Sequence, residues 1–489
     1  MDELLQRLAE VADLERAGVL LGWDQETCMP LAGAEGRGDV RATVGRLAHE
    51  RFIDDRVGEL LDAAQPRDEL EADVVRVARR DYDKARRVPG ELVAEIARAS
   101  SAARVAWLHA REHSDFASFA PHLERQLELR RRYSACFPEA ERAYDPLLDD
   151  FEPGLRTGEL ADILGRLRDG LVPLVAGAPE VDDSLLRGDS FPEPGQRALV
   201  RTVLHAVGVD DDAWRLDDAA HPFQATPAVG DIRLTTRYSE HDLDSLYSAL
   251  HEFGHGLYEH QIDPALARTT LGTGVSGAWH ESQSRMWENM VGRSGGFWRW
   301  CLPHAQAALP ERFAGRTWQE VQRAANAVHK SLIRVSADEV TYCLHIVLRF
   351  ELELALVDGD LAVADLPAAW NERVLDYLGL EVPDDARGVL QDVHWSEGIF
   401  GYFPTYALGN VIAGQLWARV TAELPDIDER FAAGDFAPLR AWLGEHVHRF
   451  GRRLMPGELL ERVVGGPLDP GPYLDYLEAK LEASAELMS

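Results

Sequence analysis

One pentapeptide limits what this chain can be more than any other stretch. His251-Glu252-Phe253-Gly254-His255 is an H-E-x-x-H sequence inside the run from Ser245 to His260. In a helix, residues four apart stand one above the other on one face, so both imidazoles can address a single metal ion. Glu252, one step round, then lies beside the open side of that ion, where a general base is wanted. Leu243, Leu246, Tyr247, Leu250, Phe253, Gly254 and Leu257 recur at three- and four-residue steps and predict a helix with one buried stripe. Ser239 followed by Asp242 predicts a capping box, with Asp242 in the first turn, where an acid suits the helix dipole.

Two imidazoles and one carboxylate form a common catalytic zinc set. Glu281 is the candidate third ligand. It lies 26 residues after His255, beyond Gly272, Gly274 and Gly277, on a predicted helix flanked by Trp279 and Trp287. Zinc is the expected ion, and cobalt can occupy the same nitrogen and oxygen donors.

The rest of the chain sets limits. With 489 residues, 46% of them hydrophobic, it can bury a large core. A net charge of −32 argues against nucleic acid and anionic membranes as partners. No run of eighteen apolar residues predicts a membrane span, and the acidic start Met1-Asp2-Glu3 lacks a secretory pattern, so a cytoplasmic location is expected. Cys28, Cys136, Cys301 and Cys343 are too scattered for a cysteine metal site and read as reduced thiols.

Taken in order, residues 2 to about 20 predict a helix, and Leu21–Pro30 a loop with Trp23-Asp24 in a buried turn. Helical spacing dominates from 68 to 150, broken at Pro89-Gly90, with Arg130–Arg132 as a solvated face. Residues 158–175 are again helical, and 176–196 form a Gly-, Pro- and Asp-rich loop. Ile232, Leu234, Thr236 and Tyr238 alternate with Arg233, Thr235 and Arg237 and predict one short strand. Residues 317–358 predict one long helix containing Arg334 and Asp338, and helices continue to 489. The fold class expected is all-α with a small β-sheet near the site. It is read as a single domain over 1–489, with a helical N-terminal half to about 195 and a metal-binding half over 196–489.

Further motifs lie on both sides of the pentapeptide. They are Trp23-Asp24-Gln25 with Met29-Pro30, His221-Pro222-Phe223, Asp231-Ile232-Arg233-Leu234-Thr235 and His280-Glu281-Ser282-Gln283. Ile333-Arg334 with Ala337-Asp338, and Gly388 with Gln391-Asp392 and His394-Trp395, complete the set. In this order and over essentially the whole chain, they resemble the carboxypeptidase Taq family, the M32 metallocarboxypeptidases. The resemblance implies a helical protein with a long groove, usually a homodimer. It implies release of single residues from peptide C-termini with broad side-chain tolerance, using a zinc-activated water and Glu252 as general base.

His394, Tyr402 and Tyr406 are then candidates to stabilise the oxyanion. Arg334, oriented by Asp338, and Arg233, supported by Asp231, are candidates to hold the free C-terminal carboxylate, since a guanidinium fork can make two charge-assisted hydrogen bonds. The ligand set by itself also fits an oligopeptidase or dipeptidase on a similar scaffold. A metal-stabilised binding protein is a third reading, disfavoured by Glu252, because a structural site needs no base.

Overall fold

The computed structural model describes residues 1–179 and 181–486; the helical reading of the last three residues lies outside them. Among the described residues helices dominate, and the one sheet has three strands: β1 (Trp214–Asp218), β2 (Gln224–Ala228) and β3 (Asp231–Thr236). β3 is central, parallel to β1 and antiparallel to β2, with Trp214 opposite Ile232 and Leu216 opposite Leu234. Only β3 is legible as alternation in the sequence; β1 and β2 were not anticipated.

The main core runs from Ala103 to Leu477. A smaller core packs Leu4, Leu8, Val57, Leu61 and Val77 against Ile262, Leu266 and Leu271. The stretch expected to be a loop at 176–196 connects the helices Thr157–Gly177 and Glu193–Val207.

Several local expectations change. The first helix runs from Asp2 to Thr27, so Trp23 and Asp24 are helical, not in a turn. Gly22 does not stop it, since one glycine costs a helix only about 1 kcal/mol. The Arg130–Arg132 face is not simply solvated: Arg131 donates to the carbonyls of Leu356 (2.6 Å) and Val357 (3.0 Å) near the end of the helix Glu339–Asp358. The expected long helix over 317–358 is two helices, Trp318–Ala325 and Glu339–Asp358, separated by an irregular stretch. Asp338 is the N-cap of the second, accepting from the backbone N–H of Val340 (2.8 Å) and Thr341 (3.1 Å).

Two helices carry the predicted ligands: the histidine helix, Asp244–His260, and the glutamate helix, Gly277–Arg285. The capping box expected at the first does not form. Ser239 and Asp242 lie ahead of the helix and accept from the N–H groups of His241 and Asp244, so Asp244 is the acid in the first turn.

Two glycines decide what can approach the histidine helix. A Cβ on Gly254 would sit 2.6 Å from the Gln283 carbonyl carbon, so the glutamate helix crosses there with its backbone against the motif. A Cβ on Gly256 would sit 2.6 Å from the Trp214 ring and 2.7 Å from the Ile232 side chain, so the sheet lies against the other side. The pattern Phe253-Gly254-His255-Gly256 thus fits a helix pressed between a second helix and a sheet.

Candidate metal centre

The crossing at Gly254 brings the predicted ligands together. Nε2 of His251 and Nε2 of His255 lie 3.7 and 3.5 Å from Oε2 of Glu281. All three donor atoms fall within 4.8 Å of one another. Around one tetrahedral zinc, nitrogen and oxygen donors at about 2.0–2.2 Å are separated by roughly 3.4 Å, so this donor set fits such an ion.

The other ring nitrogens fix which lone pairs face the centre. Nδ1 of His251 lies 2.8 Å from Oε2 of Glu288, a carboxylate that can only accept. His251 therefore carries its proton on Nδ1 and presents Nε2 as a lone pair. A longer chain serves His255. Its Nδ1 lies 2.7 Å from Nδ1 of His280, whose Nε2 lies 3.0 Å from Oε1 of Glu259. Glu259 also accepts from Thr273 Oγ1 (2.9 Å) and the Gly274 N–H (3.0 Å). His280 then donates through Nε2 and accepts through Nδ1, which leaves Nε2 of His255 free for a metal. Carboxylates behind ligand imidazoles in this way orient the ring and raise its basicity.

Glu288 is supplied by the π-helical turn Met286–Val291 that continues the glutamate helix. Arg285 donates from Nε to Glu281 Oε1 (2.7 Å) and from Nη1 to Glu288 Oε2 (3.2 Å). Glu288, Arg285, His280 and Glu259 were not anticipated as site residues. Their signal was helical spacing: Arg285 and Glu288 follow Glu281 by four and seven residues, and Glu259 follows His255 by four.

Charge is distributed to suit metal binding. Burial works against an ionised Glu281, but Arg285 and His251 hold its carboxyl well below the usual range. Burial pushes His255 down to about 4, so the ring is neutral at neutral pH. Glu252 does not join the donor set. Burial, with the Glu281 and Glu288 carboxylates, lifts it to about 7 against the pull of His251.

A second group of predicted residues meets at the start of the helix Phe403–Glu423, which packs against the glutamate helix. The His394 ring stacks on Tyr402 with centroids 5.8 Å apart, and its Nε2 lies 3.4 Å from the Tyr406 hydroxyl. Burial pushes His394 down to about 4. Burial raises both tyrosines, and the Glu281 carboxylate raises them further, so both keep their O–H as donors.

Arg334 joins this group, but not as expected. It lies on the short 3₁₀ turn Arg334–Ser336, and its partner is Asp392, not Asp338. Nε and Nη2 donate to Asp392 Oδ1 at 3.0 and 2.8 Å, and Nη1 to the Tyr342 hydroxyl at 3.1 Å. Its guanidinium also covers the Tyr406 ring, 5.0 Å from the centroid. Tyr342, not foreseen, links Arg334 to the metal side through Arg285, whose guanidinium covers the Tyr342 ring at 4.2 Å. Arg233 has other partners. Its fork meets both oxygens of Asp231 at 2.8 Å and lies 4.1 Å from the Trp23 ring centroid, with Arg215 over the same ring at 4.7 Å.

Comparisons with known proteins identify the family. The family model for the carboxypeptidase Taq (M32) metallopeptidases matches residues 3–481. The chain is 41% identical to thermostable carboxypeptidase 1 of Thermus thermophilus, over 98% of each sequence. It is 38% identical to carboxypeptidase 1 of Bacillus subtilis, over 98% of this chain and 97% of that one. Among solved structures, an M32 carboxypeptidase from Deinococcus radiodurans superposes with a TM-score of 0.96 at 41% identity, covering 99% of both chains. Trypanosoma cruzi metallocarboxypeptidase 1 superposes at 0.93 with 32% identity, covering 98% of this chain and 99% of that one. Two crossing helices with an H-E-x-x-H motif and a downstream glutamate, in a chain matched from end to end, place this protein in the carboxypeptidase Taq (M32) family of metallocarboxypeptidases.

Proposed function

We propose that the protein trims single residues from peptide C-termini with broad side-chain tolerance, using zinc held by His251, His255 and Glu281, with cobalt as a competent substitute. A bound divalent ion would polarise the scissile carbonyl and acidify a water at the same place. Glu252, buried beside the ligands and poised near neutrality, takes a proton from the attacking water and hands it to the leaving amine. Tyr402 or Tyr406 donates its O–H to the oxygen that gains charge, while His394 meets the Tyr406 hydroxyl and stacks on the Tyr402 ring.

Arg334 carries the exopeptidase part of the reading. Asp392 takes one hydrogen each of Nε and Nη2 and the Tyr342 hydroxyl one of Nη1, so a substrate carboxylate would meet the remaining Nη hydrogens. The single supporting observation is that this buried arginine, held by two hydrogen bonds to Asp392, sits among aromatic residues and is linked to the ligand cluster through Tyr342 and Arg285. Arg233 is the second candidate.

The test compares kcat/KM for a peptide with a free C-terminus and for its amide. Wild type strongly prefers the acid, and Arg334→Ala loses most of that preference. Lysine at 334 does not restore it, because one ammonium cannot reproduce the fork. A variant that still discriminates like wild type moves the clamp to Arg233. Digestion of a mixed peptide pool should give ladders that lose one C-terminal residue at a time; internal cuts would refute the assignment.

We also infer a homodimer. The helix Ala34–Phe52 buries only Ala48 and leaves Val40 and Leu47 exposed on one stripe, with Leu31 just before it.

A further inference from the structure

The segment from His394 to Tyr402 has no helix or strand of its own. Its two ends nevertheless carry the stacked pair His394 and Tyr402. An irregular segment keeps such a spacing only through the groups that fasten it.

Glu353 is the fastener. It is fully buried in the middle of the helix Glu339–Asp358. Its Oε1 accepts from Trp395 Nε1 at 2.8 Å. Its Oε2 accepts from the Gly401 N–H at 3.1 Å and from the Tyr144 hydroxyl at 2.7 Å. Trp395 follows His394 and Gly401 precedes Tyr402, so one carboxylate grips the segment one residue in from each end. A buried carboxylate is costly unless it is fully hydrogen-bonded. Here three donors meet an acceptor-only group, an arrangement that a glutamine cannot match, because its NH₂ would face another donor. Burial still pushes Glu353 up to about 7 against these donors.

We propose that Glu353 is a positioning residue for the peptidase reaction: by holding Trp395 and Gly401 it sets the spacing of His394 and Tyr402. This rests on the reading above that those two groups serve the reaction.

The experiment measures kcat, KM, metal content and near-ultraviolet circular dichroism for Glu353→Gln, Tyr402→Phe, His394→Ala and the double variant Glu353→Gln/Tyr402→Phe. Glu353→Gln is expected to lower kcat by about 10- to 100-fold with KM and metal content unchanged, the cost of a misplaced group. The double variant should lose no more than about threefold beyond the worse single variant, since both act through one group. Wild-type kcat in Glu353→Gln, or losses that multiply in the double variant, would overturn the positioning role.

If Glu353→Gln fails to fold, Trp395→Phe and Tyr144→Phe decide the matter. The first removes a grip on the segment and should lower kcat; the second removes a donor outside it and should not. Equal effects of the two would overturn the proposal. Full kcat in both Tyr402→Phe and His394→Ala would refute the underlying reading and the proposal with it. Reduced kcat in those two beside full kcat in Glu353→Gln refutes the positioning role alone.

Discussion

Glu252 and Glu259 stand on the same helix, yet their removal should have opposite signatures. Glu252 is outside the donor triangle, so Glu252→Gln should keep its metal and lose about 10²- to 10⁴-fold in kcat. Metal analysis beside single-turnover rates checks this, and loss of the ion would mean that Glu252 is a ligand. Glu259 instead ends the chain that orients His255 through His280. Glu259→Gln should weaken metal binding by about 10- to 100-fold in a chelator competition, because the negative charge behind His280 and His255 is gone even where the amide oxygen still accepts. At this scale the ligands were legible, since H-E-x-x-H and a glutamate beyond a glycine-rich loop are local patterns. The brace on Arg334 was not. The nearest acid in sequence, Asp338, is occupied as an N-cap, and the true partner, Asp392, comes from 58 residues away. Spacing along a chain says nothing about such a pairing.

Between elements, the helix crossing at Gly254 fixes the separation of the ligands by backbone contact. Gly254→Ala would force the glutamate helix outward, and about 1–3 kcal/mol of destabilisation with weakened metal binding is expected. Chemical denaturation with and without metal measures both. The glutamate helix is also held at its start by Glu152, whose Oε1 accepts from the Ala278 N–H at 2.5 Å. Burial raises Glu152 from its ordinary 4.5 to about 8, although the Ala278 N–H and the Ser276 hydroxyl favour the charged form. Between these two values the folded protein holds a proton that the unfolded chain has released. Stability from this group therefore falls as pH rises from about 4.5 to about 8, by at most about 1.4 kcal/mol per pH unit, and is level outside that window. Glu152→Gln should remove this slope from the pH dependence of the unfolding free energy; an unchanged slope would assign it elsewhere. The histidine helix was legible because it keeps a continuous apolar stripe, and the glutamate helix from Trp279 and Trp287 beyond the glycine-rich loop. The break between Ala325 and Glu339 was not, since residues 326–338 contain neither glycine nor proline to mark it. β1 and β2, five residues each, are too short to show alternation.

For the molecule as a whole, an all-helical class with a minor sheet was legible from the dominance of helical spacing, and the resemblance extended along the chain because its motifs lie in both halves. The exposed stripe on the helix Ala34–Phe52 gives a test of assembly. A charge in its middle, as in Val40→Asp with Leu47→Asp, should convert the dimer to monomer in light scattering behind size exclusion, with kcat unchanged if each site is complete within one copy. A wild-type monomer would refute the dimer.

The segment bearing His394 and Tyr402 is also held from far earlier in the chain: Ser100 Oγ donates to the Glu397 carbonyl (2.9 Å) and Gln126 Nε2 to the Ser396 carbonyl (2.9 Å). This order has a meaning for biosynthesis. Translation delivers the holding helices first, the three candidate ligands next, and the His394–Tyr402 pair only after some four-fifths of the message has been read. A product of premature termination between residues 281 and 394 contains His251, His255 and Glu281 but neither His394 nor Tyr402. Such a fragment carries the candidate metal donors without the pair proposed to serve the reaction, so the order of synthesis separates the two halves of the site.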